Sequence, residues 1–126
     1  GKSFIIYNAD ALEIYRTIYI CEGAINAETL GENGIATGGK AVSRWQVNKF
    51  IKSQVEKFII LIDPDAKDKA LDLAFKLVPF KKVKVVFLPD NEDVNSLGKQ
   101  RTLEYVRETT YQTYQELLTI KSQLKL

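Results

Sequence analysis

The stretch Phe58–Ala66, FIILIDPDA, ends a run of five apolar residues in two aspartates separated by a proline. A run this apolar is typical of a β-strand covered on both faces, as strands are in a parallel sheet. Asp63 and Asp65 follow it directly, and the apolar residues of the next segment recur at helical spacing. The stretch therefore predicts a buried strand whose carboxyl end carries two acidic side chains just before a helix.

The chain on either side alternates between β-rich runs and segments of helical periodicity. The β-rich runs are TIYIC, GIAT, KFIILI and KVKVVFL, and the helical segments between them are INAETLGE, SRWQVNKFIKSQ and AKDKALDLAFKLV. This order predicts an α/β fold, with a small parallel sheet of about four strands flanked by helices and joined by right-handed crossovers. Residues 99–126 are expected to form a C-terminal helical extension of one or two helices, with a break near residues 109–111.

Composition limits the class of protein. The 126 residues are 45% hydrophobic and carry 18 basic and 16 acidic side chains, which give a net charge of +2. So small a charge does not attract nucleic acid over the whole surface, so any such contact needs a local cluster. The single cysteine cannot form an internal disulfide, and no apolar run approaches the ~20 residues of a membrane helix. We therefore expect a cytoplasmic domain without membrane contact and, because methionine is absent, a processed chain or a fragment.

Acidic residues follow three of the predicted strands. Glu22 comes after the first strand, Asp63 and Asp65 after the third, and Asp93 lies just beyond the fourth. Because parallel strands end at the same edge of a sheet, these carboxylates are expected to converge there. Like charges ~4 Å apart repel by about 4 kcal/mol at an effective dielectric constant of ~20, so such a cluster needs a neutralising partner. A hard divalent cation such as Mg²⁺ prefers oxygen ligands and would fill this need.

Simpler interpretations exist for each acidic residue taken alone. Asp65 is placed to cap the helix that follows, Glu22 to be a solvated loop residue, and the segment PDNED to be an acidic turn. Their joint occurrence at matching ends of successive strands favours a shared site. A response-receiver domain that forms an aspartyl phosphate is disfavoured, because it would need two acidic residues after the first strand.

The chain resembles the catalytic TOPRIM (topoisomerase–primase) domain of bacterial and phage DNA primases. The resemblance lies in four segments with the same order and spacing, YICEGAINAETL, GIATGGKAVSRWQ, FIILIDPDAKDKALDLA and VVFLPDNEDVNSLG. It covers residues 18–98, makes residues 1–17 the end of an upstream primase segment, and leaves residues 99–126 as a C-terminal helical segment. It also implies a Rossmann-like sheet. Within residues 1–17, the pattern predicts a strand, SFIIY, and a brief helix capped by Asn8.

The resemblance implies a metal-dependent nucleotidyltransferase that makes RNA primers from nucleoside triphosphates on a single-stranded DNA template. It places the catalytic centre on Glu22, Asp63 and Asp65, which together with Asp93 would bind Mg²⁺ or Mn²⁺. Two differences from the commoner primase pattern replace aspartate by asparagine, at Asn26 and Asn95. An asparagine oxygen can still coordinate Mg²⁺ or hold a ligand water, so these changes weaken such a site without abolishing it.

Basic residues near the same edge are candidate contacts for nucleotide or nucleic acid. Lys40 follows Gly38 and Gly39 in the loop after the second strand, and Arg44 and Lys67 lie near the starts of two helices. For each of them taken alone, the simpler interpretation, an ordinary turn for Lys40 and a solvated surface for Arg44 and Lys67, is favoured. Trp45 is expected to belong to the core rather than to a base-stacking surface.

Three functions stay open on the sequence. The first is the catalytic segment of a primase, and the second is a stand-alone TOPRIM nuclease. The third is a non-catalytic interaction module in which Asn26 and Asn95 mark a weakened site. With no histidine and one cysteine, the chain has no zinc-bearing DNA-binding region, so we expect the isolated chain to be weakly active or inactive. A replicative helicase is the expected partner of the missing regions.

Overall fold

The computed structural model describes residues 5–38 and 41–126, which form an α/β fold with a four-stranded, all-parallel sheet. This confirms the predicted fold class. The strands are β1 (Thr17–Cys21), β2 (Gly34–Ala36), β3 (Lys57–Leu61) and β4 (Lys82–Val85), in the spatial order β2-β1-β3-β4. The helices are α1 (Ala24–Leu30), α2 (Arg44–Lys52), α3 (Lys67–Leu77), α4 (Val94–Leu97), α5 (Lys99–Glu108) and α6 (Tyr114–Gln123). Short 3₁₀ helices span Ala9–Glu13 and Pro64–Ala66.

The central strand β3 is buried on both faces, as its apolar sequence predicts. Phe58 and Ile60 pack into a core cluster that includes residues of α2, α3 and α6, while Ile59 and Leu61 pack into a second cluster with residues of α1, α4 and α5. Alternate residues of a strand point to opposite faces, so one apolar run supplies both cores. Each of these side chains contributes about 1.5–3 kcal/mol by its burial.

Both edges of the sheet are covered by other parts of the chain. Tyr7 forms an antiparallel bridge to Ala36 on β2, with N···O distances of 3.0 and 3.3 Å. On the other edge, Gln112 imitates a strand: its backbone N–H donates to the Val83 oxygen (3.0 Å), and its side-chain amide exchanges two hydrogen bonds with Val85 (2.8 and 3.2 Å). Exposed sheet edges can pair with strands of other chains, and these contacts cover both edges against such pairing.

The predictions for the amino-terminal segment need correction. Ser3 and Phe4 of the predicted strand SFIIY lie outside the described residues, and the remainder forms only the single bridge at Tyr7. Asn8 does not cap the brief helix, because its backbone is left-handed (φ 60°). Its side-chain Nδ2 instead donates to the backbone oxygens of Glu32 (2.8 Å) and Gly34 (2.9 Å), which ties this segment to β2.

The prediction that Trp45 belongs to the core is wrong. Ser43 caps α2 by accepting a hydrogen bond from the backbone N–H of Gln46 (3.2 Å), and the buried face of the helix contains Val47 and Phe50. Trp45, by contrast, remains 44% exposed. The predicted break near residues 109–111 is confirmed, since α5 ends at Glu108 and α6 begins at Tyr114.

No helix in residues 5–38 or 41–126 combines the length and apolar character needed to cross a membrane.

Replacement of Gly34 by alanine should destabilise the fold. A Cβ atom at this position would lie 2.3 Å from the backbone oxygen of Ala27, so α1 would have to move away from β2. We expect the free energy of unfolding to fall by about 1–3 kcal/mol, as in other overpacked interiors. Urea denaturation measures this change.

Gly23→Ala is the matched control, because a Cβ atom there meets nothing within 4 Å. Its effect should stay within about 0.5 kcal/mol. Equal stability of the two variants would show that α1 and β2 are not packed this closely.

Candidate active site at the carboxyl edge of the sheet

The acidic residues lie between β1 and β3, where the order of the strands in the sheet reverses. Strands β1 and β3 are neighbours, with Cys21 paired to Leu61, and Glu22 and Asp63 follow directly beyond this last pair. The helices after these strands lie on opposite faces, α1 with one core cluster and α3 with the other. A crevice opens at such a switch point, and ligands of open α/β sheets bind there.

The electrostatics show that the carboxylates are close enough to interact. Burial raises the pKa of Asp63 above its ordinary value, and the charges of Asp93 and Asp65 raise it further. Burial also raises the pKa of Glu22, with Asp63 and then Asp65 adding to the effect and Lys69 opposing it. Glu22 and Asp63 line the same cleft. The grouping of all four carboxylates stays a prediction, since no three acidic side chains of the described residues are grouped to hold a metal ion.

Lys69 is a site residue that the sequence analysis missed. Lys69 belongs to the first turn of α3, and its Nζ lies 4.0 Å from Oε1 of Glu22. Lys69 is four residues after Asp65, a helical spacing that could have indicated its place beside the acidic loop. A contact this long between Lys69 and Glu22 contributes only weakly to stability.

The structure tests whether the acidic residues serve as helix caps. Asp65 does not cap α3: the N-cap position is Ala66, and neither there nor at Asp63 does a side chain accept a capping hydrogen bond. Asp93, by contrast, does cap α4, because its Oδ1 accepts the backbone N–H of Ser96 at 2.7 Å. The sequence analysis did not predict α4, although the Asp-x-x-Ser spacing is a capping signal.

Asn26 joins three elements at this edge. Its side chain is buried, its Nδ2 donates to Oδ1 of Asp63 (3.4 Å), and its Oδ1 accepts the backbone N–H of Asn95 (3.0 Å). The side chain of Asn95 accepts a hydrogen bond from the Thr29 hydroxyl (3.3 Å). Asn26 is therefore the asparagine that contacts the acidic cluster, while Asn95 supports it through its backbone.

The donor set suits a hard divalent cation, but it is not a closed cage. Within residues 5–38 and 41–126, no three acidic or cysteine side chains are grouped so that they could hold a metal ion. Mg²⁺ usually keeps several waters and uses only one or two protein carboxylates, so a closed cage is not required. Cys21, buried beside the cluster, is not a ligand candidate, because burial and then Asp63 raise its pKa to about 12.

The basic candidates are placed differently from one another. Arg44 is exposed in the first turn of α2, and the Nζ of Lys67 lies 6.0 Å from the ring centroid of Phe87. Gly39 and Lys40 lie outside the described residues. A cleft of about 620 Å³ adjoins the acidic residues; it is lined by Ile5, Tyr7, Glu22, Gly23, Ala24, Asn26, Ala36, Gly38 and Asp63.

Asn26→Asp should lower stability without metal and raise it with metal. The change replaces an amide donor by a carboxylate beside Asp63 in a buried position, and a cost of about 1–3 kcal/mol is expected in chelator. Saturating Mn²⁺ should stabilise this variant more than the unchanged chain, because one more carboxylate becomes available. Melting temperatures in both conditions test this, with the exposed Asn48→Asp as control. Shifts of the same sign in both conditions would contradict the assignment.

The raised pKa values predict how stability depends on pH. Because the folded chain holds the protons of Glu22 and Asp63 more tightly than the unfolded chain, stability is greater below the ordinary carboxyl range and falls as the pH rises through the raised values. Asp63→Asn keeps an acceptor for Asn26 but removes one charge. It should increase the free energy of unfolding at neutral pH, in chelator, and flatten this decline. Urea denaturation over a pH series measures both, and an unchanged slope would count against the coupling.

Comparison with known proteins bears on the fold. No protein-family profile matches the sequence, and no curated protein matches it either. Solved structures do match. The chain superposes on a DnaG primase catalytic domain bound to ssDNA with a TM-score of 0.77 and 19% identity, over 100% of this chain and 44% of that one.

Two further structures agree. A DNA primase domain from Pseudomonas aeruginosa gives a TM-score of 0.69 and 22% identity over 88% of this chain and 40% of that one. The primase catalytic core of E. coli gives a TM-score of 0.69 and 19% identity, over 88% of this chain and 41% of that one. The chain thus spans less than half the length of the proteins it resembles. It has the α/β fold of DNA primase catalytic domains.

Proposed function

We propose that this chain is the TOPRIM catalytic segment of a DNA primase and carries out metal-dependent nucleotidyl transfer, joining ribonucleotides into RNA primers on single-stranded DNA. The observation that supports the proposal is that Glu22, after β1, and Asp63, after β3, line one cleft. Burial and then the charges of Asp93 and Asp65 raise the pKa of Asp63. Acidic sites of this kind also suit phosphodiester cleavage. The likeness to primase catalytic domains favours synthesis over cleavage.

Glu22, Asp63 and Asp65, with Asp93, are the residues that would hold Mg²⁺ or Mn²⁺. An ion bound there would supply positive charge that lowers the pKa of a primer 3′-hydroxyl and neutralises the triphosphate. Asn26 fixes the orientation of Asp63 through its hydrogen bond. Because Asp93 also caps α4, the start of that helix is held next to the site.

The cleft beside the acidic residues offers a place for the nucleotide. Glu22 and Asp63 lie in its lining together with Ile5 and Tyr7, which are 65% and 40% exposed. An aromatic ring and an aliphatic side chain can pack against a base. The phosphates would lie towards the carboxylates only with a divalent cation between them, because like charges repel. Arg44 and Lys67 are proposed phosphate contacts. Lys40 is also proposed as one, because it follows Gly38 and Gly39 in the sequence after β2.

A non-catalytic interaction module is the second candidate. It is favoured by the absence, within the described residues, of three acidic side chains grouped to hold a metal. The two candidates differ in whether the edge binds a divalent cation. The primase that we propose also implies nucleoside triphosphates as substrates and a replicative helicase as a partner of regions outside this chain.

Divalent cations should stabilise the chain. A cation that binds the folded state relieves the repulsion around Asp63, and at 100 times its dissociation constant it adds about 2.7 kcal/mol. Thermal melting with and without Mn²⁺ should show a rise of a few degrees. Asp63→Ala/Asp65→Ala should abolish this rise. The control Asp68→Ala/Asp72→Ala removes two exposed charges from α3 and should keep it. No rise in the unchanged chain would favour the non-catalytic module.

The isolated chain should make little primer. It spans 40–44% of the primase domains it resembles, and positioning of template and nucleotide supplies a large part of such catalysis. Ribonucleotide incorporation on a single-stranded template should appear when these residues belong to the longer protein, and Asp63→Asn in that protein should abolish it. Cleavage of the template without incorporation would instead assign a nuclease.

A further inference from the structure

Apart from Arg44, the outward face of α2 is a surface that the proposed nucleotide site does not use. Helix α2, RWQVNKFIK, contains three basic residues and no acidic one. Its buried residues, Gln46, Val47 and Phe50, face the core. The exposed and half-exposed side chains form what we call the α2 face; they are Arg44, Trp45, Asn48, Lys49 and Lys52.

The geometry of the α2 face combines a row of cations with an aromatic ring. Arg44, Asn48 and Lys52 are spaced four residues apart, so they lie in one row along the helix, and Trp45 and Lys49 form the adjacent row. The Nζ of Lys49 lies 5.5 Å from the centroid of the Trp45 ring, within the range of a cation–π contact. Trp45 remains 44% exposed.

A cleft continues this face. It measures about 610 Å³ and lies between α2 and the 3₁₀ helix Ala9–Glu13, with Leu12, Trp45 and Lys49 among its lining residues. Glu13 also lines it and is the acidic group there. Because Arg44, Lys49 and Lys52 outnumber this one carboxylate, the surface keeps a net positive charge.

We propose that the α2 face binds single-stranded DNA, with phosphates at Arg44, Lys49 and Lys52 and a base stacked on Trp45. The choice of DNA rests on the proposed primase function. Stacking on an exposed aromatic ring needs the face of a base, which a duplex hides and a single strand offers. A cationic row with an aromatic ring is the combination that sequence-tolerant single-strand binders use.

The direction of α2 connects this surface to the acidic edge. Helix α2 follows β2 and leads into β3, which runs parallel to β2, so it runs back across the sheet. Its first residues, Arg44 and Trp45, therefore lie towards the carboxyl edge, and Lys52 lies towards the opposite edge. A strand of DNA that follows α2 is led towards Glu22 and Asp63.

The single tryptophan of the chain makes the proposal directly measurable. Titration of the chain with oligodeoxythymidylate of about 12 nucleotides, in chelator and low salt, should quench the fluorescence of Trp45. With three phosphate contacts, the logarithm of the binding constant should fall against the logarithm of salt with a slope of about −2. Lys49→Ala/Lys52→Ala should reduce the size of this slope by about 1.4.

Trp45→Ala removes the fluorescent residue, so its DNA binding is measured by the fluorescence anisotropy of a labelled oligonucleotide. This variant should bind about 5-fold more weakly or worse. The matched control is Arg101→Ala/Arg107→Ala, which removes two exposed charges from α5 on the opposite face of the sheet and should leave affinity within about 2-fold. Lys49→Ala/Lys52→Ala should keep the rise in melting temperature with Mn²⁺, because neither residue belongs to the acidic site. Loss of the metal site and loss of this surface are thereby distinguished.

Several results would overturn the proposal. These are the absence of quenching, binding that is independent of salt, or equal weakening by the α5 control and the Lys49/Lys52 variant. Equal affinity for duplex DNA of the same length would rule out stacking on Trp45. Tighter binding of oligouridylate than of oligodeoxythymidylate would assign the surface to RNA instead.

Discussion

The burial of β3 on both faces is the constraint on which the rest of the structure depends. Phe58 and Ile60 fill one core and Ile59 and Leu61 the other, so β3 must be central and covered by helices on each side. A strand so apolar can place polar chemistry only beyond its ends. The aspartates that follow it are thereby brought to the carboxyl edge, where Glu22 from the neighbouring β1 meets them.

The acidic edge is held together against its own repulsion. Burial and then neighbouring carboxylates raise the pKa of Asp63, so its ionised form is less stable there than in water. The fold offsets this with polar contacts: Asn26 donates to Asp63, Lys69 approaches Glu22, and the backbone N–H of Ser96 binds Asp93. Acidic side chains with raised pKa values are often found at functional sites, and a bound cation would relieve their repulsion. The proposed function is therefore placed at this edge.

The small net charge conceals two surfaces of opposite sign. The acidic edge collects carboxylates from three loops, while α2 carries three basic residues without an acidic one. A divalent cation and a polynucleotide need opposite local charges, so a single chain can address both only if the two surfaces are separated. The helix that crosses from β2 to β3 provides that separation and still begins at the acidic edge.

The sequence by itself determined the order of the four sheet strands and the helices between them, the parallel sheet and the acidic residues after three of its strands. These follow from apolar periodicity and strand-end residues, which are local features. Only the tertiary structure decided the contact of Asn26 with Asp63, the approach of Lys69 to Glu22 and the exposure of Trp45. Each of these depends on how a helix is rotated and on partners distant along the chain. Asn8 shows the same limit. Its sequence context is typical of a helix cap, but its side chain instead donates to the backbone oxygens of Glu32 and Gly34, which are 24 and 26 residues away.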